Sequence, residues 1–178
     1  MYLDTQLLTG VGFVWQVVFT DAGKGHIGGL DDIHLADGLY YHTAMLDGGS
    51  NQLTEMISPA LIFEQLWALA ANASSLFYIV INTSDMLPVP LSTAAALKFA
   101  WDPSAFVEPE RENNDWNATQ LAFLREWCTE QFGADVAADA ATLYADYFAI
   151  PHVSRGLSDE WIGASLGRLA GGGTSALR

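Results

Sequence analysis

Three short apolar runs, each followed by aspartate, glycine or asparagine, constrain the fold of this chain more than any other feature. They cover residues 14–19, 39–45 and 76–81. A helical pattern separates the second run from the third. It begins at Ser58-Pro59 and places on one face Leu61, Ile62, Leu66, Leu69 and Ala70. Continuous apolar strands joined through helices are typical of a parallel sheet with both faces covered. The sequence therefore predicts an α/β fold for its first part.

The second part of the chain carries only helical patterns. Residues 91–101 predict a short helix that Asp102-Pro103 ends, and a polar loop follows over 103–117. The apolar stripes of two further helices are Leu121, Leu124, Cys128 and Phe132, before Gly133, and then Val136, Ala140, Leu143, Tyr147 and Phe148. We predict an αα-hairpin and two regions, 1–105 and 106–178, the second with a flexible C-terminal end.

Charge and composition exclude several classes of protein. The net charge is −14 with only seven lysines and arginines, which argues against nucleic acid as a partner because a nucleic-acid surface is basic. No apolar run reaches the ~18–20 residues of a membrane span. The single cysteine, Cys128, allows no internal disulfide and is expected to be a packed apolar residue. Glycosylation sequons at Asn72, Asn82 and Asn117 hint at secretion, yet no signal peptide opens the chain. We therefore expect either a cytosolic protein or a piece of a longer one.

The loop after the first run, FTDAGKGHIGG, contains Gly23, Gly25 and Gly28 in the spacing of a dinucleotide-binding fingerprint. That fingerprint requires a helix directly after the glycines to hold the pyrophosphate, and no helical pattern follows here. We interpret the segment as a loop at the carboxyl end of a strand and predict no cofactor. His26 and His34 lie eight residues apart in this loop. That is a poor spacing for metal ligands, so no metal is predicted.

Polar side chains follow each predicted strand, at the edge where α/β sheets collect their reactive groups. They are Asp21 after the first strand, Tyr41 and His42 in the second with Asn51 and Glu55 beyond it, and Asn82, Ser84 and Asp85 after the third. Each also has a structural explanation, since aspartate caps turns, a histidine can lie in a core, and asparagine bonds loop amides. Together they favour a site, and their carboxyl, amide and imidazole groups suit a sugar.

Four extended blocks lie between residues 14 and 152: VVFTDAGKGHI, GLYYHTAMLDGGSNQLTEM, VINTSDMLPVPLSTAAALKFAWDP and FLREWCTEQFGADVAADAATLYADYFAIPH. In these blocks and in their order, the chain resembles glycoside hydrolase family 115, the xylan α-1,2-glucuronidases, and most of all the fungal, secreted branch. The resemblance implies a partial (β/α)8 TIM barrel, comprising its last strands and helices, followed by the start of a helical bundle.

The resemblance also implies an activity. Members of this family release glucuronic acid, or its 4-O-methyl form, from glucuronoxylan or its oligosaccharides. They do so with inversion of configuration and without a cofactor. The full-length protein would be secreted, and its dimerisation is compatible with the resemblance. Because earlier barrel strands are missing, we expect the isolated chain to be inactive. The alternative is a non-catalytic carbohydrate-binding or scaffolding remnant of such an enzyme.

We assign site roles on the matching positions. The catalytic candidates are Asp21 and Glu55, and the substrate-binding candidates are Tyr41, His42, Asn51, Asn82 and Asp85. The loop departs from the commoner family pattern of two adjacent aspartates, since it has Asp21-Ala22. Which carboxylate acts as acid and which as base therefore stays open at this point.

Overall fold

The computed structural model describes residues 17–21, 25–29, 37–44, 55–72, 78–106 and 114–153. The elements in chain order are β1 (Val18–Thr20), β2 (Gly38–His42), α1 (Pro59–Asn72), β3 (Tyr78–Asn82), α2 (Pro90–Trp101), a 3-10 turn (Pro103–Ala105), α3 (Trp116–Phe132) and α4 (Ala134–Val153). The α/β class predicted from the sequence is confirmed. No helix within these ranges is long and apolar enough to cross a membrane.

The sheet is parallel, with strand order β1-β2-β3. Thr20 pairs with Tyr40, and His42 pairs with Asn82, so the carboxyl ends of the strands meet at one edge. The sequence predicts that the second strand continues to residue 45, but it ends at His42. The reason is that the Thr43 and Ala44 amides both turn toward one acceptor, the Asn82 carbonyl, at 2.9 and 3.4 Å.

The hydrophobic core lies on one face of the sheet. Alternate strand residues point toward it, and Leu39 and Tyr41 are fully buried there together with α1 residues such as Ile62 and Phe63. The opposite face carries side chains that remain 37–47% exposed: Val18, Tyr40 and Val80. The prediction that both faces are covered is therefore wrong for the described residues, among which the core occupies one face only.

Helix boundaries follow local signals closely. The Ser58 hydroxyl accepts a hydrogen bond from the Leu61 amide at 3.2 Å, and Pro59 is the first residue of α1, as predicted. The Asp115 carboxylate caps α3 by accepting from the Asn117 and Ala118 amides. Gly133 ends α3 with a φ of 89° and joins it to α4, which confirms the predicted hairpin. Cys128 is fully buried in α3, and burial raises the pKa of its thiol, as expected of a packed residue.

The predicted stripe of α4 is wrong in part. Phe148 is buried as expected, but Val136 and Leu143 are 49% and 69% exposed, and the buried positions beside Phe148 are Ala137 and Ala141. The distance between packed helices depends on the side chains at their contact. Alanines at the contact allow a close approach, so the larger Val136 and Leu143 lie on a second, outward apolar face.

Candidate active site

Asp21 and His42 meet at the carboxyl edge of the sheet. Asp21 directly follows β1 and His42 is the last residue of β2, so parallel pairing brings their side chains together. His42 Nδ1 lies 2.5 Å from Asp21 Oδ1, and the two side chains are 8% and 0% exposed. The two atoms are within hydrogen-bonding distance, and the direction of this hydrogen bond is set by the tautomer of the His42 ring. The pair predicted from separate strand ends is thus one hydrogen-bonded unit.

The glycine loop closes around the same carboxylate. The Gly25 amide donates to Asp21 Oδ2 at 2.9 Å, and Gly25 has a φ of +76°. A Cβ atom at this position would lie 2.8 Å from Leu61 Cδ2. Positive φ and this close approach both require glycine. Gly25 therefore shapes a turn that holds Asp21, while Gly23 lies outside the described residues.

Tyr41 supports this turn from the core side of the sheet. It is fully buried, and its hydroxyl donates to the Gly25 carbonyl at 2.9 Å. Burial, reinforced by the negative charges of Asp21 and Glu64, raises the pKa of the Tyr41 phenol well above its usual 10.0. The phenol stays protonated and donates. Its predicted contact with substrate stays a prediction, which its burial does not favour.

Asn82 and Tyr40 extend the cluster on the outer face of the sheet. Asn82 Nδ2 donates to the Tyr40 hydroxyl at 2.6 Å, and Asn82 Oδ1 accepts from the Ser84 amide at 2.9 Å. The Tyr40 ring lies edge-on to the His42 ring with centroids 4.5 Å apart. The sequence prediction omitted Tyr40. The signal available for it is the two-residue period of a strand, which places Tyr40 on the same face as His42.

Glu55 has a different position from the Asp21–His42 pair. Its Oε1 accepts hydrogen bonds from the Leu91 and Ser92 amides, at 2.7 and 2.9 Å, at the beginning of α2. Val89, the residue before α2, provides no side-chain cap of its own. Burial raises the pKa of the Glu55 carboxyl from its usual 4.5, and the amide hydrogen bonds offset part of that rise. Glu55 is thus a helix cap in this structure, and its catalytic role stays a prediction.

Glu55 also borders a cavity of 650 Å³ beside α4, together with Pro88, Phe132, Ala140, Leu143, Tyr144 and Tyr147. The Tyr147 hydroxyl donates to the Glu55 carbonyl at 2.6 Å, which connects the helical hairpin to the segment preceding α1. The outward face of α4 that contains Leu143 therefore forms one wall of this cavity.

Two of the predicted site residues remain, Asp85 and Asn51. Asp85 is exposed in the loop after β3, directly beyond Ser84, whose φ is 53°. Asn51 lies outside the described residues. In the ranges that the structure covers, no three His, Cys, Asp or Glu side chains form a group that could hold a metal ion.

The groups at this edge are capable of acid–base chemistry. A buried carboxylate orients an imidazole, which can accept or donate a proton, and an amide and a phenol lie beside it. The arrangement lies at the carboxyl ends of parallel strands, the position that α/β enzymes use for catalysis. The fold and the site together define an α/β protein with a candidate active site at this edge.

A comparison with known protein families assigns this chain to a family. The sequence model of glycosyl hydrolase family 115 matches residues 16–156, a range that includes every strand and helix of the described residues. The chain belongs to glycosyl hydrolase family 115, which confirms the resemblance drawn from the four sequence blocks. No curated protein matches the chain.

Proposed function

We propose that this protein acts in the hydrolysis of glucuronoxylan, removing glucuronic acid or its 4-O-methyl form with inversion of configuration. The observation that carries the proposal is the family match over residues 16–156, within which the Asp21–His42 pair lies. A uronic acid presents a carboxylate and several hydroxyls. Imidazole, amide and phenol groups can bind both kinds of oxygen.

The open face of the sheet supports a place for this region in a (β/α)8 barrel. Val18, Tyr40 and Val80 project from that face and remain 37–47% exposed. In such a barrel one face of every strand points inward, where it packs against side chains from the other strands. We propose that β1, β2 and β3 are barrel strands with α1 and α2 on the outside, and that α3 and α4 begin a helical bundle.

The residue roles follow from position at the carboxyl edge of the sheet and from hydrogen bonding. His42, Asn82 and Tyr40 lie at the mouth of this face, and we assign to them the contacts with the uronic acid, with Asp85 nearby in the exposed loop after β3. Inverting glycosidases need an acid and a base about 6.5–9.5 Å apart. The Asp21 oxygens both accept hydrogen bonds already, and Glu55 caps α2. We therefore place at least one of the two reacting carboxyl groups on residues outside the described ranges.

The test is uronic acid release from glucuronoxylan, measured for the full product of the gene and for the 178-residue chain. Xylan without uronic acid side groups is the control substrate. We expect release by the full product, none from the control, and little or none by the 178-residue chain. Binding of glucurono-xylooligosaccharides without release by either protein would favour the non-catalytic alternative. If neither protein released uronic acid or bound the oligosaccharides, both the hydrolase and the non-catalytic alternative would be contradicted.

We also propose that the full-length protein is secreted, because its polymeric substrate is extracellular.

A further inference from the structure

We infer that Asp21 is a positioning residue: it keeps the proton of His42 on Nδ1 and leaves Nε2 as the ring nitrogen that meets the substrate. The meaning for substrate binding rests on the proposed function, whereas the position of the proton does not. The inference assigns to Asp21 a role different from the acid or base role predicted from the sequence.

The contacts of the carboxylate carry the first step. The Asp21 side chain is 0% exposed. Oδ1 accepts from His42 Nδ1 at 2.5 Å, and Oδ2 accepts from the Gly25 amide at 2.9 Å. A general acid or base must approach the atom it protonates or deprotonates to about 2.6–3.2 Å, directly or through one water. Both oxygens of Asp21 face protein donors instead, so of these two side chains only the His42 ring, which is 8% exposed, has surface left for a sugar.

The surroundings fix the orientation of both partners. Gly25 is held at its amide by Asp21 and at its carbonyl by the Tyr41 hydroxyl at 2.9 Å. Oδ2 therefore faces a backbone N–H, a donor that cannot become an acceptor. The edge-on Tyr40 ring, 4.5 Å away between centroids, packs against the imidazole. With the carboxylate and the ring both restrained, Asp21 selects the tautomer, because a ring nitrogen facing a carboxylate has to donate.

Replacing Asp21 by asparagine tests whether the side chain at position 21 determines the tautomer of His42. The Gly25 amide still requires an acceptor, so the oxygen of the introduced carboxamide faces Gly25 and its NH₂ group faces Nδ1. The ring must then accept at Nδ1 and carry its proton on Nε2. The Asp21→Asn variant thus predicts the opposite tautomer of His42 in an otherwise similar structure.

The experiment is ¹H–¹⁵N correlation of the histidine ring nitrogens with their carbon-bound protons, on the 178-residue chain at a pH where titration shows the His42 ring to be neutral. The four histidines are assigned with single His→Gln variants. The matched control is Asp37→Asn, because the Asp37 carboxylate also accepts from a backbone amide, that of Val17 at 2.8 Å, but precedes β2.

We expect the Nδ1–H tautomer in the unmodified chain and in Asp37→Asn, and the Nε2–H tautomer in Asp21→Asn. An Nε2–H tautomer of His42 in the unmodified chain would overturn the inference, even if Asp21→Asn did not fold. A folded Asp21→Asn variant that keeps the Nδ1–H form would also overturn it. Lack of uronic acid release would refute the proposed function and leave these outcomes unchanged, so the two failures are distinguishable.

Discussion

At the residue scale, Asp21 joins the candidate site to the stability of the fold. Removing a carboxylate from water costs several kcal/mol unless hydrogen bonds replace the lost hydration. Asp21 has two such partners, the His42 ring and the Gly25 amide. The same side chain therefore orients the imidazole and closes the turn that follows β1.

Asp21→Ala in the full gene product should lower kcat/KM on glucuronoxylan by more than 100-fold, which is at least ~2.7 kcal/mol of transition-state stabilisation. The reason is that His42 loses the partner that orients its ring. If Asp21 acts only through His42, the double variant with His42→Ala should be no worse than His42→Ala alone, because losses within one unit are not additive. The exposed Asp139→Ala in α4 is the control. Near-normal turnover by a folded Asp21→Ala protein would remove Asp21 from the site.

Gly25→Ala should lower the free energy of unfolding by about 2 kcal/mol, because a Cβ there meets Leu61 Cδ2 at 2.8 Å and the φ of +76° disfavours any other residue. Gly28→Ala is the matched control in the same loop. Among the described residues, its Cβ would meet the Thr20 carbonyl oxygen at 3.8 Å, an ordinary contact. Urea denaturation of both variants gives the comparison. Equal midpoints for the two would show that the Gly25 turn is not constrained in this way.

At the element scale, α2 takes its cap from a distant part of the chain. The first amides of a helix have no partner within it, and Val89 offers no side-chain acceptor. Glu55, 36 residues before Leu91, supplies the acceptor for two of these amides. Since the Glu55 carbonyl also accepts from Tyr147, this one residue links α2 with α4.

Glu55→Ala should lower the free energy of unfolding by about 1 kcal/mol, the usual cost of removing a helix cap. Glu55→Gln is the control that keeps an acceptor oxygen for Leu91 and Ser92, and we expect it to retain most of the stability. Urea unfolding at neutral pH checks both variants. If Ala and Gln at position 55 cost the same, the capping hydrogen bonds are not what stabilises the start of α2.

The same residue gives a pH dependence. Because the pKa of Glu55 is raised from 4.5 in the folded state, the folded protein binds more protons than the unfolded chain just above that value. The contribution of Glu55 to stability is therefore fully present below pH 4.5 and falls as the pH rises through the folded pKa. The free energy of unfolding of the unmodified chain minus that of Glu55→Gln should therefore fall as the pH rises. A difference that grows with pH would contradict the raised pKa.

At the scale of the whole molecule, the described residues expose several groups of apolar side chains outside the core, and two of these surfaces lie on the sheet and on α4. One is the outer face of the sheet around Val18, Tyr40 and Val80, and the other is the outward face of α4 around Leu143. Parallel sheets are normally covered on both faces. An open sheet face is therefore the feature that the proposed barrel explains.

Val80→Lys tests that proposal by comparing two lengths of protein. In the 178-residue chain Val80 is 47% exposed, so the free energy of unfolding should change by no more than about 0.5 kcal/mol. In the full gene product, a barrel interior would bury the new charge without a partner, and we expect a loss of about 2 kcal/mol or more. Thermal or urea unfolding of the unmodified and Val80→Lys forms of each protein gives the comparison. The same small effect in both proteins would contradict an inward-facing Val80.

Much of the fold could be predicted from the sequence because its signals are local. Ser58-Pro59 at the beginning of α1, Asp102-Pro103 after α2 and Gly133 between α3 and α4 act through backbone groups a few residues away. The α/β class follows from the order of apolar runs and helical patterns. Parallel strands also require that their carboxyl ends meet, which is why Asp21 and His42 could be expected at one edge without any coordinates.

Only the tertiary structure decided which groups those local patterns contact. The covered face of the sheet, the buried stripe of α4 and the cap that Glu55 provides for α2 depend on segments far apart in sequence. The role of Asp21 depends on them too: a strand-end aspartate looks the same in a sequence whether it faces solvent or, as here, gives one oxygen to His42 and the other to Gly25. Burial and hydrogen-bond pairing are properties of three-dimensional neighbours, so no spacing along the chain specifies them.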